Sequence, residues 1–143
     1  VKVQTGNACD AETNGTGWFL GFSDWTLNDP SGLLHVPKGE ALTGLCAKWY
    51  DHPSGDDSGG SKPVSEGRTI SILVSEGSAF RIQFSPSPGF PPAETHTVLL
   101  ERPGAFAAWG EGVYHRWHCL SRATIFTIRW TPATAAAKDE TSL

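Results

Sequence analysis

The chain is 143 residues long, 38% hydrophobic and 18% charged, with 16 Gly, 10 Pro and a formal net charge of −4, which suits one domain rich in turns and short strands. Its 11 basic residues are scattered, so the electrostatic footprint of a phosphate-backbone binder is excluded. No apolar run approaches the roughly 18 to 20 residues of a membrane helix and no basic start leads into an apolar core, so neither nucleic acid nor a membrane is an expected partner and a soluble, cytoplasmic protein is expected.

In chain order, residues 1–17 mix Gly, Asn, Thr and Asp with almost no large apolar side chain and are expected to form a flexible N-terminal arm. Residues 18–25, apolar and aromatic, and 32–36 read as short strands. Residues 42–50 read as another that alternates after Leu45. On an extended strand Tyr50 and His52 share one face and Trp49 and Asp51 the other. Residues 53–65 gather Pro, Ser, Gly and Asp into a surface loop placed to cover one mouth of a barrel. Runs 69–74 and 79–84 flank Ser75-Glu76-Gly77-Ser78, which predicts an antiparallel hairpin. Pro86, Pro88, Pro91 and Pro92 forbid a central strand over 85–93, leaving a linker. Runs 96–100, 105–109, 115–119 and 124–130 complete about ten short strands, and 133–143 reads as a C-terminal tail, frayed or with one short helix. The fold class is all-β, an antiparallel barrel over residues 18–132.

Cys9, Cys46 and Cys119 are an odd number at wide spacing, so free thiols in a reducing compartment are expected, Cys46 and Cys119 as small buried groups on strands.

The segment from Gly104 to His115 has the pattern Gly, five residues, Gly110, one residue, Gly112, two residues, His115. Physically, Gly104 opens a turn into a strand, five residues cross a barrel wall, and the Gly110 to Gly112 turn reverses the chain so that His115 enters the next strand. This segment resembles the second conserved motif of cupins, with Gly110 standing where the family usually has Pro. The wider stretch 18–130 is similar to a group of small bacterial single-domain cupins. The resemblance implies a jelly-roll barrel with His115 inside it. The first cupin motif, which supplies the remaining metal ligands, is not matched. With Gly77 as its closing Gly, the Glu position falls on Ile70 and the His pair on residues 63–66, where there is no His.

These readings converge on a small organic molecule, aromatic or polyketide-like, held in the barrel. The expected chemistry is that of a cofactor-free lyase, isomerase or cyclase with His115 as general acid or base, its pKa near neutral. Glu66 and His52 are its expected catalytic partners, and Trp117, Trp49, Trp109, Arg129 and Tyr50 the expected substrate-binding groups. No metal is expected. The alternatives are a metal-dependent dioxygenase holding one divalent transition metal on His115 and His52, with Glu66 third, and a non-catalytic binding module. His35, His96 and His118 read as surface or packing residues. A homodimer is expected, formed when residues 18–25 add to a neighbour's sheet edge.

Overall fold

The computed structural model describes residues 2–21, 31–60 and 62–133. Among these, eight strands follow in chain order: β1 (Val3–Asn7), β2 (Leu42–His52), β3 (Arg68–Leu73), β4 (Ala79–Ser85), β5 (His96–Leu100), β6 (Ala105–Trp109), β7 (Tyr114–Ser121) and β8 (Ala123–Pro132). They form a five-stranded sheet, β1-β6-β3-β8-β2, and a three-stranded sheet, β5-β4-β7, and every strand pairing is antiparallel. The fold is all-β, a jelly-roll arrangement of two antiparallel sheets that face each other without closing into a barrel.

Period-two alternation explains which side chains meet between the sheets. From the first sheet Leu73, Ala107, Trp109 and Ile125 point inward, and from the second Phe80, Ile82, Phe84, Leu100 and Cys119 meet them in one buried cluster. The opposite face of the first sheet is also apolar. There Ile70, Ile72, Phe106, Ala108 and Trp130 pack under Leu33, Leu34 and Val36, with Phe19 and Leu20 beside them. β3 is therefore covered on both faces, whereas β4 buries Phe80, Ile82 and Phe84 and leaves Arg81 and Gln83 on its outer side.

That difference corrects the expected hairpin of 69–74 with 79–84. β3 pairs with β6 and β8, β4 with β5 and β7, and the turn at 75–78 carries the chain from one sheet to the other. A strand buried on both faces belongs in the middle of a covered sheet, and one with an open polar face belongs in an outer layer. The expected short strand at 32–36 is not formed, and of the one expected at 18–25 the described residues, 18–21, contribute a single bridge. Residues 31–36 form turns that cap the first sheet, touching the chain at one bridge, Gly21 with His35. Phe19 and Leu20 pack on this chain's own core, while residues 22–25 and 134–143 lie outside the described residues.

The flexible arm is corrected as well. Val3–Asn7 pairs along β6 in full register, because β6 carries apolar side chains on both faces and its outer edge needs a partner. Gly6 lies so close over Phe106 that an added Cβ would meet the ring at 3.1 Å, and Val3 packs against the inter-sheet core. Asn7 locks the end of the strand, donating through Nδ2 to the Pro103 carbonyl while its Oδ1 accepts from the Cys9 amide. Of the cysteines, Cys119 is buried as expected, while Cys46 sits exposed on edge strand β2, near a bulge between Thr43 and Cys46. Deleting residues 1–7 should lower stability by about 2 kcal/mol or more, from the lost burial of Val3 and the bared β6 edge. Urea unfolding measures it, and a true arm would leave the midpoint unchanged.

Candidate functional site

The Gly104 to His115 segment folds as its glycines require. Gly104 has φ +91° and abuts Asn7, β6 follows, Gly112 has φ +78°, and the chain reverses into β7. The turn crosses from the first sheet to the second, which brings His115 back over Trp109. Their ring centroids are 4.9 Å apart. Trp109 is itself fixed: it packs on Phe84 at 5.1 Å and its Nε1 donates to Ser65 Oγ at 3.0 Å.

Ser65 belongs to the segment expected to be a surface loop. The described residues of 53–65 form no strand and are mostly exposed, as expected of a surface loop, and the loop runs along the edge of β7. Gly55 donates to the Cys119 carbonyl, Cys119 to the Asp56 carbonyl, Ser58 to the Trp117 carbonyl and Ser65 to the Val113 carbonyl. Asp57 and His118 form a bridge within this contact. The other edge of β7 is paired with β4, so the segment satisfies backbone groups that a free edge would leave open.

Between the sheets, at this end, lies a cavity of about 40 Å³. His115, Trp117, Trp109, His52, Phe80 and Ile82 line one part of it. Lys48, Thr69, Ser71, Thr127 and Arg129 line the rest. The structure thus brings together five of the expected site residues: His115, His52, Trp117, Trp109 and Arg129. Trp117 stacks on Phe80 at 5.3 Å and meets the His52 ring edge-on at 4.4 Å. Tyr50 stands at the margin, half exposed, with its ring 4.5 Å from His52.

Two expected site residues do not belong. Trp49 points to the other face of β2, exposed and paired with Phe126 at 6.1 Å, as the alternation of β2 demands. Glu66 is exposed and does not line the cavity. Sequence reasoning missed Lys48, although it stands on the same face of β2 as Tyr50 and His52. The period-two rule that selected those two reaches it in one more step. His35 is buried beneath the outer face of the first sheet, whereas His96 is exposed and His118 lies on the outer face of the second.

The two imidazoles differ. His52 is buried and its Nδ1 lies 2.8 Å from Asp56 Oδ2. A carboxylate can only accept, so Nδ1 carries the proton and the ring is held in one tautomer. The Nδ1 of His115 is enclosed with no hydrogen-bond partner. Its pKa is lowered from the ordinary 6.5 to about 4, first by burial and then by the charges of Arg129, Lys62 and Lys48. This corrects the expectation of a near-neutral pKa: at cellular pH the free protein holds a neutral imidazole, not a poised general acid. Lys48 is in turn held below the usual lysine range by partial burial and by the neighbouring charges of Lys62 and Arg129.

These side chains do not suit a transition metal. The positions that the cupin resemblance assigns to the other ligands hold Ile70 and residues 63–66 without a His, and Ile70 faces away from the cavity. Among the described residues no three His, Cys, Asp or Glu side chains gather as a ligand set. Lys48 and Arg129 would also repel a dication.

No protein-family model matches this chain, and no curated protein matches it. Solved structures with a similar arrangement include HEPD from Streptomyces albus with 2-hydroxyethylphosphonate and Fe(II) bound, 12% identical over 62% of this chain and 18% of that one, TM-score 0.48. Another is the conserved SPY1581 protein of unknown function from Streptococcus pyogenes, 14% identical over 62% of this chain and 65% of that one, TM-score 0.49. A third is a variant of the 3,4-ketoisomerase QdtA from Thermoanaerobacterium thermosaccharolyticum in complex with TDP-4-keto-6-deoxyglucose, 11% identical over 60% and 57%, TM-score 0.46. The chain spans less than two thirds of the length of each, and the activities named are those of the neighbours.

The lowered pKa of His115 has a consequence for stability. Above pH 6.5 its imidazole is neutral in both the folded and the unfolded chain and contributes nothing to pH dependence. As pH falls from 6.5 to about 4, the unfolded chain takes up the proton and the folded one does not, so stability falls; below about 4 the loss is complete. The full effect is about 3 kcal/mol. His115→Gln should flatten this limb of the stability profile, measured by urea unfolding from pH 4 to pH 7.

Proposed function

We propose that the chain is a metal-independent enzyme that holds a small organic substrate between the two sheets and works by proton transfer, in the manner of a lyase, isomerase or cyclase. The observation that carries this reading is His115: a neutral imidazole walled by Trp109, with an unpartnered nitrogen, in a cavity rimmed by the cations of Lys48 and Arg129. Buried polar atoms are nearly always satisfied, so an orphaned nitrogen beside a cavity suits a site completed by a ligand.

The chemistry follows from the side chains. A substrate C–H adjacent to a carbonyl gives its proton to the lone-pair nitrogen of His115, and the C–H electron pair moves to the carbonyl oxygen as an enolate. Arg129 and Lys48 are placed to balance that developing negative charge. The imidazolium then returns the proton to the same or another atom of the substrate. His52, oriented by Asp56 and caged by Trp117 and Phe80, positions the substrate through its second nitrogen. At about 40 Å³ the cavity admits the reacting end of a molecule, so the body of an aromatic or polyketide-like substrate would extend through the mouth past Tyr50.

Deuterium exchange tests this reading whatever the final product is. Small neutral and anionic carbonyl compounds incubated with the protein in D2O should exchange the proton next to the carbonyl, read by NMR. His115→Ala should melt close to the wild type and slow exchange by about 100- to 10,000-fold. For the wild type, kcat/KM should rise with pH and level off above the free-protein pKa of about 4. A well-folded His115→Ala with unchanged exchange, or a wild type that exchanges none of the compounds, overturns the proposal.

A further inference from the structure

The lining of the inter-sheet cavity has an unbalanced charge. Lys48 stands on β2, Arg129 on β8, and Lys62 on the segment beside β7, close enough that each bears on His115. Among the described residues no Asp or Glu lines the cavity. The neighbouring carboxylate, Asp56, is taken by His52, and Asp51 accepts from Thr124 Oγ1. Among the described residues none of the three cations forms an ion pair. Arg129 directs Nε to Thr69 Oγ1 at 3.3 Å, which steadies the guanidinium at the rim. Like charges gathered at the rim of one cavity raise the energy of the empty protein, and they persist most readily where a counter-charge is part of the working state.

We infer that the cavity is an anion site and that the substrate carries a carboxylate or comparable anionic group seated between Lys48 and Arg129. This rests on the proposed function for the word substrate, but the anion site stands on the lining alone. The size sets the ligand's scale: about 40 Å³ is room for about three waters, or a group of roughly four heavy atoms. A carboxylate on a short stem fits, with its carbon end against Trp109 and Trp117. The wider depression of about 240 Å³ on the outer face of the second sheet lacks this character. It includes Asp57, and its Arg116 is held by Gln83 at 2.8 Å and lies over Phe90 at 4.3 Å.

A deeper consequence joins charge to chemistry. The groups that face His115 are Lys48 and His52 from β2, Arg129 from β8 and Lys62 from the segment beside β7. A bound anion supplies a negative charge among them, so the imidazolium becomes easier to form. The substrate's own charge makes His115 a competent base, and the empty site keeps it proton-free.

Acetate and acetamide, equal in size and differing in charge, provide the test, with inorganic phosphate as a bulkier anion. Titrating each into the labelled protein should move the His115 and Trp117 side-chain resonances with acetate and leave them in place with acetamide. Acetate should also raise the His115 pKa. Lys48→Gln and Arg129→Gln, both at exposed positions that leave the core intact, should each weaken acetate binding by about 10- to 100-fold, and added salt should weaken it further. Phosphate binding as tightly as acetate would mean a wider mouth than the structure has and would overturn the stated size. Equal response to acetate and acetamide, or acetate binding untouched by either substitution, overturns the anion site. Neither result bears on deuterium exchange into neutral carbonyl compounds, and cation-dependent acetate binding without any exchange would retain this site while removing the catalytic reading.

Discussion

β3 must be kept dry on both faces. Ile70 and Ile72 face one way and Leu73 the other, and all are nearly or wholly buried, so the strand requires hydrogen-bonded neighbours at each edge and an apolar layer above and below. β6 and β8 supply the edges, the second sheet supplies one layer, and the turns around Leu33 and Leu34 supply the other. Once β3 is central, the short turn after it can only pass to the other sheet. Sequence neighbours then become partners across the core, and the jelly-roll order follows.

The inner layer is not uniform along β3 and β8, and that unevenness creates the site. At one end Leu73, Ala123 and Ile125 fill the space between the sheets with apolar groups. At the other, Ser71 and Thr127 share a hydrogen bond of 2.8 Å, and Thr69 receives Arg129. Small hydroxyl side chains leave room that leucines would fill, and their mutual hydrogen bond removes the penalty of burying them. The cavity opens where the packing changes from apolar to polar, directly opposite His115 and Trp117.

Much of this was legible in the sequence and some was not, for identifiable reasons. The strands from Leu42 onward follow from alternation and turn residues. The placement of His115 beside Trp117 followed from the two-residue repeat of a strand once the Gly104 to His115 spacing was recognised. Strand pairing was less accessible, because the turn at 75–78 suits a hairpin and a sheet-to-sheet corner equally. The deciding difference lay in Ile70 and Ile72 against Arg81 and Gln83. β1 escaped notice because Val3 is its one apolar side chain: its place is set by the edge of β6, a partner far away in sequence. The pKa of His115 was out of reach for the same reason, since it is lowered first by burial between the sheets and then by Arg129, Lys62 and Lys48, which come to it from three separate stretches of chain.

The loop beside β7 is held largely through its backbone. It holds its place by amide and carbonyl contacts with β7, and from it Ser65 reaches Trp109 and Lys62 contributes to the rim. Backbone hydrogen bonds are indifferent to side-chain identity, so most positions of this Ser- and Gly-rich stretch can change without disturbing either buried cluster. The fold therefore separates what keeps it folded from what it recognises. Descendants of this chain can retune the charge and width of the entrance by substitutions in one surface strip while the sheets behind it stay the same.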